Sequence, residues 1–177
     1  MQVRNTLVSV LFANALWMGT AVAQDAPAQS AAQDIRVVEA LKKAGAVKCA
    51  KAKTDLLNFL YKDDEYAYMN QWHQSVPEKH GTLTTIAKTY SDGTVMVTLM
   101  GAPTPGGCDV SFTQTFSTAM ACTALRETSF KEWVHAGQIG GATLYEEKDA
   151  TTLSVALSSQ PNGCLVVKSG IFFFPEE

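Results

Sequence analysis

The sequence predicts an α+β fold in which helices pack on one face of a single antiparallel sheet of about six strands. Up to about residue 61 the hydrophobic residues recur at helical spacing, and beyond residue 82 they alternate with polar residues as they do in strands. The order of helix, strands and cysteines also occurs twice, which predicts two tandem αβββ-like repeats. The 46% hydrophobic and 18% charged content is typical of one globular domain, and the net charge of −3 argues against a nucleic-acid partner.

Residues 1–23 have the features of a secretory signal peptide. Arg4 gives a short basic region, residues 7–20 are uncharged and mostly apolar, and the small residues Ala21 and Ala23 mark a cleavage site. The apolar stretch is shorter than the roughly 20 residues that a transmembrane helix needs. We therefore expect cleavage after Ala23, a periplasmic or secreted mature protein, and no transmembrane segment.

A leader and one domain are predicted to follow the signal peptide. Residues 24–33 consist of Ala, Gln, Asp, Pro and Ser without apolar spacing, which predicts a disordered leader. The single domain covers residues 34–177. It begins with a helix that Asp34 caps and that Gly45 ends.

A second helix and three strands complete the first half of the domain. The helix runs from Cys49 to about Tyr61 with a broad apolar face, and we expect Lys53 on its opposite, polar face. The three strands are Thr82–Tyr90, Thr94–Met100 and Cys108–Phe116. Ser91–Gly93 is a hairpin turn between the first two, and Gly101–Gly107, which contains two prolines, is a longer connection to the third.

The same order recurs in the second half. Cys122 opens a helical segment that continues to about Val134. Three strands follow, at Thr143–Lys148, Thr151–Ser158 and Cys164–Phe174. In each half a turn that contains Pro and Gly precedes a cysteine and a long apolar strand. We therefore predict repeat units at about residues 48–118 and 121–174, with an insertion at residues 61–81 in the first unit.

The last strand ends in Ile171–Phe174, four apolar residues that must alternate across both faces of the strand. At the edge of a sheet such a strand would invite a partner strand by β-augmentation. We expect instead that it is buried on both faces.

Four cysteines predict two structural disulfides. All four lie in the exported part of the chain, and an even number in an oxidising compartment is typical of disulfides. The absence of C-x-x-C spacing disfavours a redox site and a zinc site. All three pairings are compatible with the repeat. We prefer Cys49 with Cys108 and Cys122 with Cys164, since each bond then lies within one unit.

The sequence contains no recognisable catalytic constellation. It has no G-x-S-x-G turn and no Gly-rich phosphate loop, and its three histidines lack the spacing of metal ligands, so we predict no catalytic residues, metal or cofactor. Carboxylates occur in runs at Asp63–Glu65 and Glu146–Glu147. Two such groups facing each other across a cleft would serve glycoside hydrolysis.

Aromatic residues are concentrated in the predicted insertion. Large amphipathic side chains such as Tyr and Trp dominate binding hot spots, which makes this segment the candidate binding site. Its candidate residues are Tyr61, Tyr66, Tyr68, Trp72 and His73. The alternative is that these rings only cover an end of the sheet.

Two functions are compatible with these patterns. The first is an exported, disulfide-stabilised binding module, such as an inhibitor or an envelope accessory protein, whose ligand is a protein or an envelope polymer. The alternative is a small hydrolase of an envelope polymer that uses Asp, Glu or His residues gathered by the fold. The sequence specifies neither the ligand nor the oligomeric state.

Overall fold

A computed structural model describes residues 33–61 and 66–175 of the chain. The predicted signal peptide and nearly all of the predicted leader lie outside these residues, as do Asp63–Glu65. Within the described part, none of the helices is both long enough and apolar enough to span a bilayer.

The described residues form three α-helices, a short 3-10 turn at Pro77–Lys79 and one antiparallel sheet of eight strands. The helices are α1 (Gln33–Lys43), α2 (Ala50–Leu60) and α3 (Cys122–Thr128). The strands are β1 (Ala67–Gln71), β2 (Thr82–Tyr90), β3 (Gly93–Thr104), β4 (Gly107–Thr118), β5 (Val134–Ile139), β6 (Ala142–Glu147), β7 (Ala150–Gln160) and β8 (Gly163–Pro175). The α+β class and the single antiparallel sheet are therefore confirmed.

The prediction of about six strands is wrong, because β1 and β5 were not predicted. β1 lies inside the segment interpreted as an insertion, and β5 follows the shortened helix α3. These strands form the two outer edges of the sheet and pair on one side only. A bulge between His135 and Gly137 also interrupts the alternation of β5. An edge strand that buries little apolar surface does not require alternating apolar and polar residues, which is the pattern that identifies a strand in a sequence.

The strand order β1-β2-β3-β4-β8-β7-β6-β5 places two four-stranded meanders side by side. They meet where β4 pairs with β8, in a continuous register from Gly107 with Pro175 to Thr118 with Cys164. α2 precedes the first meander and α3 the second. Each half therefore consists of a helix and four strands, and not of the three strands predicted.

The predicted connection Gly101–Gly107 is mostly strand. Pro103 of β3 pairs with Cys108 of β4, and the turn itself is formed by Pro105 and Gly106. β3 tolerates this proline because β2 pairs with β3 only as far as Gly101. Beyond that point β3 has one neighbour, so the missing N–H does not interrupt a ladder on the other side.

The helices cover one face of the sheet, as predicted. α2 packs on β3 and β4, and α3 packs on β7 and β8. A larger core forms under α1 and α2, with Leu57, Val97 and Leu99 among its fully buried residues. A smaller core forms around Leu125 of α3. Trp133, in the loop after α3, packs against both cores.

The two disulfides have the preferred pairing. Cys49 is bonded to Cys108 with a Cα–Cα distance of 5.6 Å, and Cys122 is bonded to Cys164 with a Cα–Cα distance of 5.0 Å. Each bond joins the start of a helix to the last strand of the same half. The prediction of two structural disulfides is thus confirmed.

The C-terminal apolar run is not buried on both faces. Phe172 and Phe174 are half-buried beneath the helices, but Phe173, on the other face, is 63% exposed. β8 lies in the middle of the sheet, between β4 and β7, although β7 pairs with it only as far as Gly170. The expectation fails because no element of the described chain covers the second face of the sheet.

Candidate functional site

The sheet face opposite the helices, which we call the open face, is not covered by any element of the described chain. In antiparallel pairs, residues directly opposite each other point to the same side, so the register assigns each position to a face. We define the open face on five neighbouring strands, β2, β3, β4, β8 and β7. Its positions are the odd residues 83–89 of β2, the even residues 94–102 of β3, the odd residues 109–117 of β4, the odd residues 165–173 of β8 and the even residues 154–158 of β7. None of these side chains is buried.

The open face is almost free of charge. Half of its side chains are Ser or Thr, and all but one of the rest are apolar. Asp109 is the only ionisable group among these positions. Protein surfaces normally carry about 25–35% charged residues, with both signs interspersed. Depletion of charged residues, Lys, Glu and Asp among them, is instead characteristic of the central part of protein interfaces.

A row of hydroxyl groups crosses the middle of the open face. The residues of this row lie directly opposite one another on β2, β3, β4, β8 and β7: Thr85, Thr98, Thr113, Ser169 and Ser154. At a strand spacing of about 4.8 Å the row is about 19 Å long. The last two hydroxyl oxygens, Ser169 Oγ and Ser154 Oγ, are hydrogen-bonded at 2.9 Å.

Exposed apolar side chains flank the hydroxyl row. Met96 and Met100 are 43% and 50% exposed, and Phe173 lies on the same face of β8. Met69 extends this surface onto β1, where it pairs with Thr85. Threonine and serine alone would suit a hydrated sheet face, but hydration does not account for the exposed methionines or the missing lysines. Methionine adapts its shape to a partner because its side chain is flexible and polarizable.

The predicted aromatic site is divided between the core and the surface. Tyr61 and Tyr66 are only 2% and 5% exposed, and their rings pack together with centroids 5.3 Å apart. Tyr68 and Trp72 are half-buried, and Tyr68 packs against the core under α1 and α2. His73 is exposed. The binding role of the five residues stays a prediction, but in this fold two of them have almost no surface to offer a partner.

Tyr61 has the environment of a core residue. Burial, with a smaller contribution from Tyr90, raises the pKa of the Tyr61 hydroxyl well above its usual range. Lys88 Nζ lies 5.8 Å from the centroid of the Tyr61 ring and 4.6 Å from that of Tyr90. Tyr61 therefore contributes to packing between α2 and the sheet.

His73 organises the loop between β1 and β2. Its Nδ1 accepts hydrogen bonds from the backbone N–H groups of Ser75 and Val76, at 3.3 and 3.1 Å. Its ring stacks on His80, with centroids 4.3 Å apart. His73 therefore acts as a hydrogen-bond acceptor that holds the backbone of this loop. The described residues contain no group of three or more His, Cys, Asp or Glu side chains that could hold a metal ion.

The carboxylates of β6 do not form a paired site. Glu146 and Glu147 are consecutive residues of one strand, and the pairing of β6 with β7 shifts register between them. Glu146 is exposed and pairs with Ser154, whereas Glu147 is half-buried. These two groups therefore do not face each other across a cleft as glycoside hydrolysis requires.

Comparison with known proteins gives no further information on this arrangement. The chain matches no protein-family model, no curated protein and no solved structure. The function must therefore be argued from the geometry itself.

A buried polar network beneath α2 escaped the sequence analysis. Lys53 is not on a polar helix face as predicted but is fully buried, and its Nζ donates hydrogen bonds to Thr82 O at 3.1 Å and to Thr84 Oγ1 at 3.2 Å. Burial lowers the pKa of Lys53 to about 8. The sequence spacing indicates the burial of Lys53. Lys53 follows Cys49 by four residues and precedes Leu57 by four, so it lies on the same apolar face of α2 as these two residues.

The network continues from Lys53 to the edge of the sheet. Thr84 Oγ1 donates to Asn70 Oδ1 at 2.7 Å, and Asn70 Nδ2 donates to Val37 O at 3.1 Å. These bonds link α2, β2, β1 and α1 in one chain. The network lies on the covered face and is closed to ligands, so its role is structural.

Proposed function

We propose that this protein is an exported, disulfide-stabilised binding module that holds a protein partner on its open face. The observation that carries the proposal is the composition of that face, on which hydroxyl and apolar side chains occupy every position of the central strands except Asp109. Such a surface loses little by desolvation, because almost no charge has to leave water when a partner covers it.

The charges also indicate the chemistry of the partner. Asp109 of β4 and Glu146 of β6, the strand next to β7, are both acidic, and the whole chain has a net charge of −3. A partner surface that is uncharged at its centre and basic at its rim complements this distribution. An acidic surface would meet like charge, which opposes association.

The construction of the sheet favours rigid binding. Two disulfides anchor the helices to β4 and β8, the strands that join the two halves. A surface that is already ordered loses little conformational entropy when it binds. Both halves contribute strands to the open face.

Export is part of the proposal. The basic residue, apolar stretch and small residues at the start of the sequence support cleavage after Ala23, and two disulfides are typical of an oxidising compartment. The periplasm or the growth medium is therefore where the partner is to be sought. We propose an inhibitor or an envelope accessory protein as the kind of protein that would bind a partner there.

Affinity capture tests the proposal. The oxidised mature protein, residues 24–177, serves as bait for an extract of cell envelope and medium, and each captured protein is then purified and titrated against variants. Thr113→Arg places a bulky charge at the centre of the open face. Thr123→Arg makes the same change at an exposed position of α3, away from that face.

We expect Thr113→Arg to weaken binding of the captured partner at least tenfold and Thr123→Arg to leave it unchanged. Tyr68→Ala combined with Trp72→Ala tests the aromatic segment separately. The proposal is overturned if Thr113→Arg binds as well as the native protein, or if only the aromatic double variant loses the partner. Capture of a polysaccharide, or of a second copy of this chain, in place of another protein would also overturn it.

A further inference from the structure

A second surface of interest lies on the covered face, at the boundary between the two halves. The two buried cores are separate there, and Trp133 is the side chain that packs against both. Lys168 of β8 lies at this boundary, opposite Gln114 of β4 on one side and Val155 of β7 on the other. A half-buried lysine thus occupies the centre of the sheet on the face that the helices cover.

The ammonium group of Lys168 lies between two aromatic rings from different halves. Lys168 Nζ is 5.9 Å from the centroid of Phe59, on α2, and 5.6 Å from that of Trp133. Among the described residues, the ion pairs are made by other lysines, and none involves Lys168. The cation is therefore flanked by π faces but has no carboxylate to neutralise it in the described part of the chain.

The Trp133 and Phe59 rings beside Lys168 both contact neighbouring residues, and Phe59 is also exposed to solvent. Arg126 donates a hydrogen bond from Nη2 to Trp133 O at 3.2 Å, and the Trp133 ring packs edge-on against Phe130 at 5.4 Å. On the opposite side Phe59 is 56% exposed, although its ring contacts Phe172 with centroids 6.4 Å apart. An exposed aromatic ring beside an ammonium group that makes no ion pair with any described residue is an arrangement that a ligand can complete.

We propose that Lys168, Phe59 and Trp133 form a binding site for an amphiphilic anion, that is, a single carboxylate, sulfonate or phosphate group on an apolar body. The ammonium group of Lys168 binds the anionic group, and charge-assisted hydrogen bonds of this kind are about twice as strong as neutral ones. The two rings contact the apolar body and exclude water from the pair. This site lies on the opposite side of the sheet from the open face and does not depend on the proposed function.

The probe for this site is 8-anilinonaphthalene-1-sulfonate, which carries one sulfonate on an aromatic body. The protein is the oxidised mature form with Trp72→Phe, which leaves Trp133 as its only tryptophan because Trp17 belongs to the predicted signal peptide. Energy transfer from Trp133 to the probe then reports binding, and the Lys168 and Phe59 variants show whether the probe is bound at this site. Near-UV circular dichroism shows that each variant is folded, so that binding of the probe to unfolded chains is not counted.

We expect saturable binding that Lys168→Met weakens about tenfold or more, since one charge-assisted bond is lost. Lys168→Arg restores most of the affinity, and Phe59→Ala weakens it severalfold. Lys51→Met is the matched control, because Lys51 is an exposed lysine of the same helix as Phe59, and it leaves binding unchanged. Lys168→Gln, which keeps a polar group, provides a second variant if the methionine variant does not fold.

Three results would each overturn the proposal. The first is an absence of saturable probe binding to the folded protein. The second is equal binding by the native lysine and by the Met or Gln variant. The third is equal affinity for the uncharged analogue N-phenyl-1-naphthylamine, which lacks the sulfonate but keeps the aromatic body.

Discussion

Lys53 Nζ lies 3.2 Å from Thr84 Oγ1, a contact that ties helix α2 to the covered face of the sheet. The lysine is fully buried, and its hydrogen-bond partners are a backbone carbonyl and a hydroxyl group, neither of which is an anion. Because burial disfavours the protonated form of Lys53, the free energy of unfolding should depend on pH.

We predict that the protein becomes more stable as the pH rises from 8 towards 9.5. The pKa of Lys53 is about 8 in the folded protein and 10.5 in the absence of burial, so between these values the unfolded chain binds more protons. Stability is then gained as pH rises and lost as pH falls through 8. The gain is about 1.5 kcal/mol over this range, measured as the free energy of unfolding in urea.

Lys53→Met isolates this effect, because a thioether does not titrate. The variant should show a flatter dependence of unfolding free energy on pH between 8 and 9.5 than the native protein. Parallel curves for the two proteins would show that Lys53 does not titrate in this range.

We predict that Tyr61→Phe stabilises the protein by about 1 kcal/mol at neutral pH. The buried Tyr61 hydroxyl has no hydrogen-bond partner among the described residues, and removing an unsatisfied polar group relieves its desolvation penalty. The raised pKa of Tyr61 also means that native stability is lost as the pH rises above about 10, where tyrosine ionises in unfolded chains. Urea unfolding at pH 7 and pH 10.5 measures both effects, and a variant less stable than the native protein at both pH values would contradict the prediction.

We predict that both disulfides contribute similarly to stability. The bonds close loops of 59 and 42 residues, for which the loss of unfolded-state entropy corresponds to roughly 4 kcal/mol each. Cys49→Ala with Cys108→Ala, and Cys122→Ala with Cys164→Ala, should therefore lower the unfolding free energy by comparable amounts. A negligible loss in one double variant would show that its half does not depend on the bond.

We predict that Gly170→Ala destabilises the domain by about 1–3 kcal/mol, since overpacking a core costs this much. A Cβ atom at residue 170 would collide with the side chain of Leu153 and would lie 2.7 Å from Phe112 Cε1. Gly141→Ala is the matched control, because a Cβ there meets no atom within 4 Å. Thermal unfolding compares the two variants, and equal melting temperatures would contradict the packing described around Gly170.

The fold was predictable where periodicity is strong and where covalent bonds constrain it. The bounds of β2 follow directly from its alternation, and the preferred pairing of the four cysteines is the one found. β1 and β5 were missed because edge strands bury too little surface to impose a pattern. Lys53 was misplaced because a charged residue was assigned to solvent even though it stands within the apolar stripe of α2.

The candidate site was harder to predict than the fold. Alternation identifies the apolar face of each strand, but it does not say whether the second face is covered. A sign was nevertheless present in the sequence, because the polar positions between Gly93 and Thr118 are nearly all Thr and Ser, with one Asp and no Lys or Arg. The aromatic residues of the first half drew attention instead, and two of them prove to be core residues.

The most direct test of the open face as a binding surface is oxidation of methionines by hydrogen peroxide, followed by mass spectrometry. Met96 and Met100 lie on the open face, whereas Met120, of similar exposure, lies in the turn before α3. With the captured partner bound, we expect Met96 and Met100 to oxidise severalfold more slowly and Met120 to oxidise at its original rate. Unchanged oxidation of Met96 and Met100 in the complex would contradict the account.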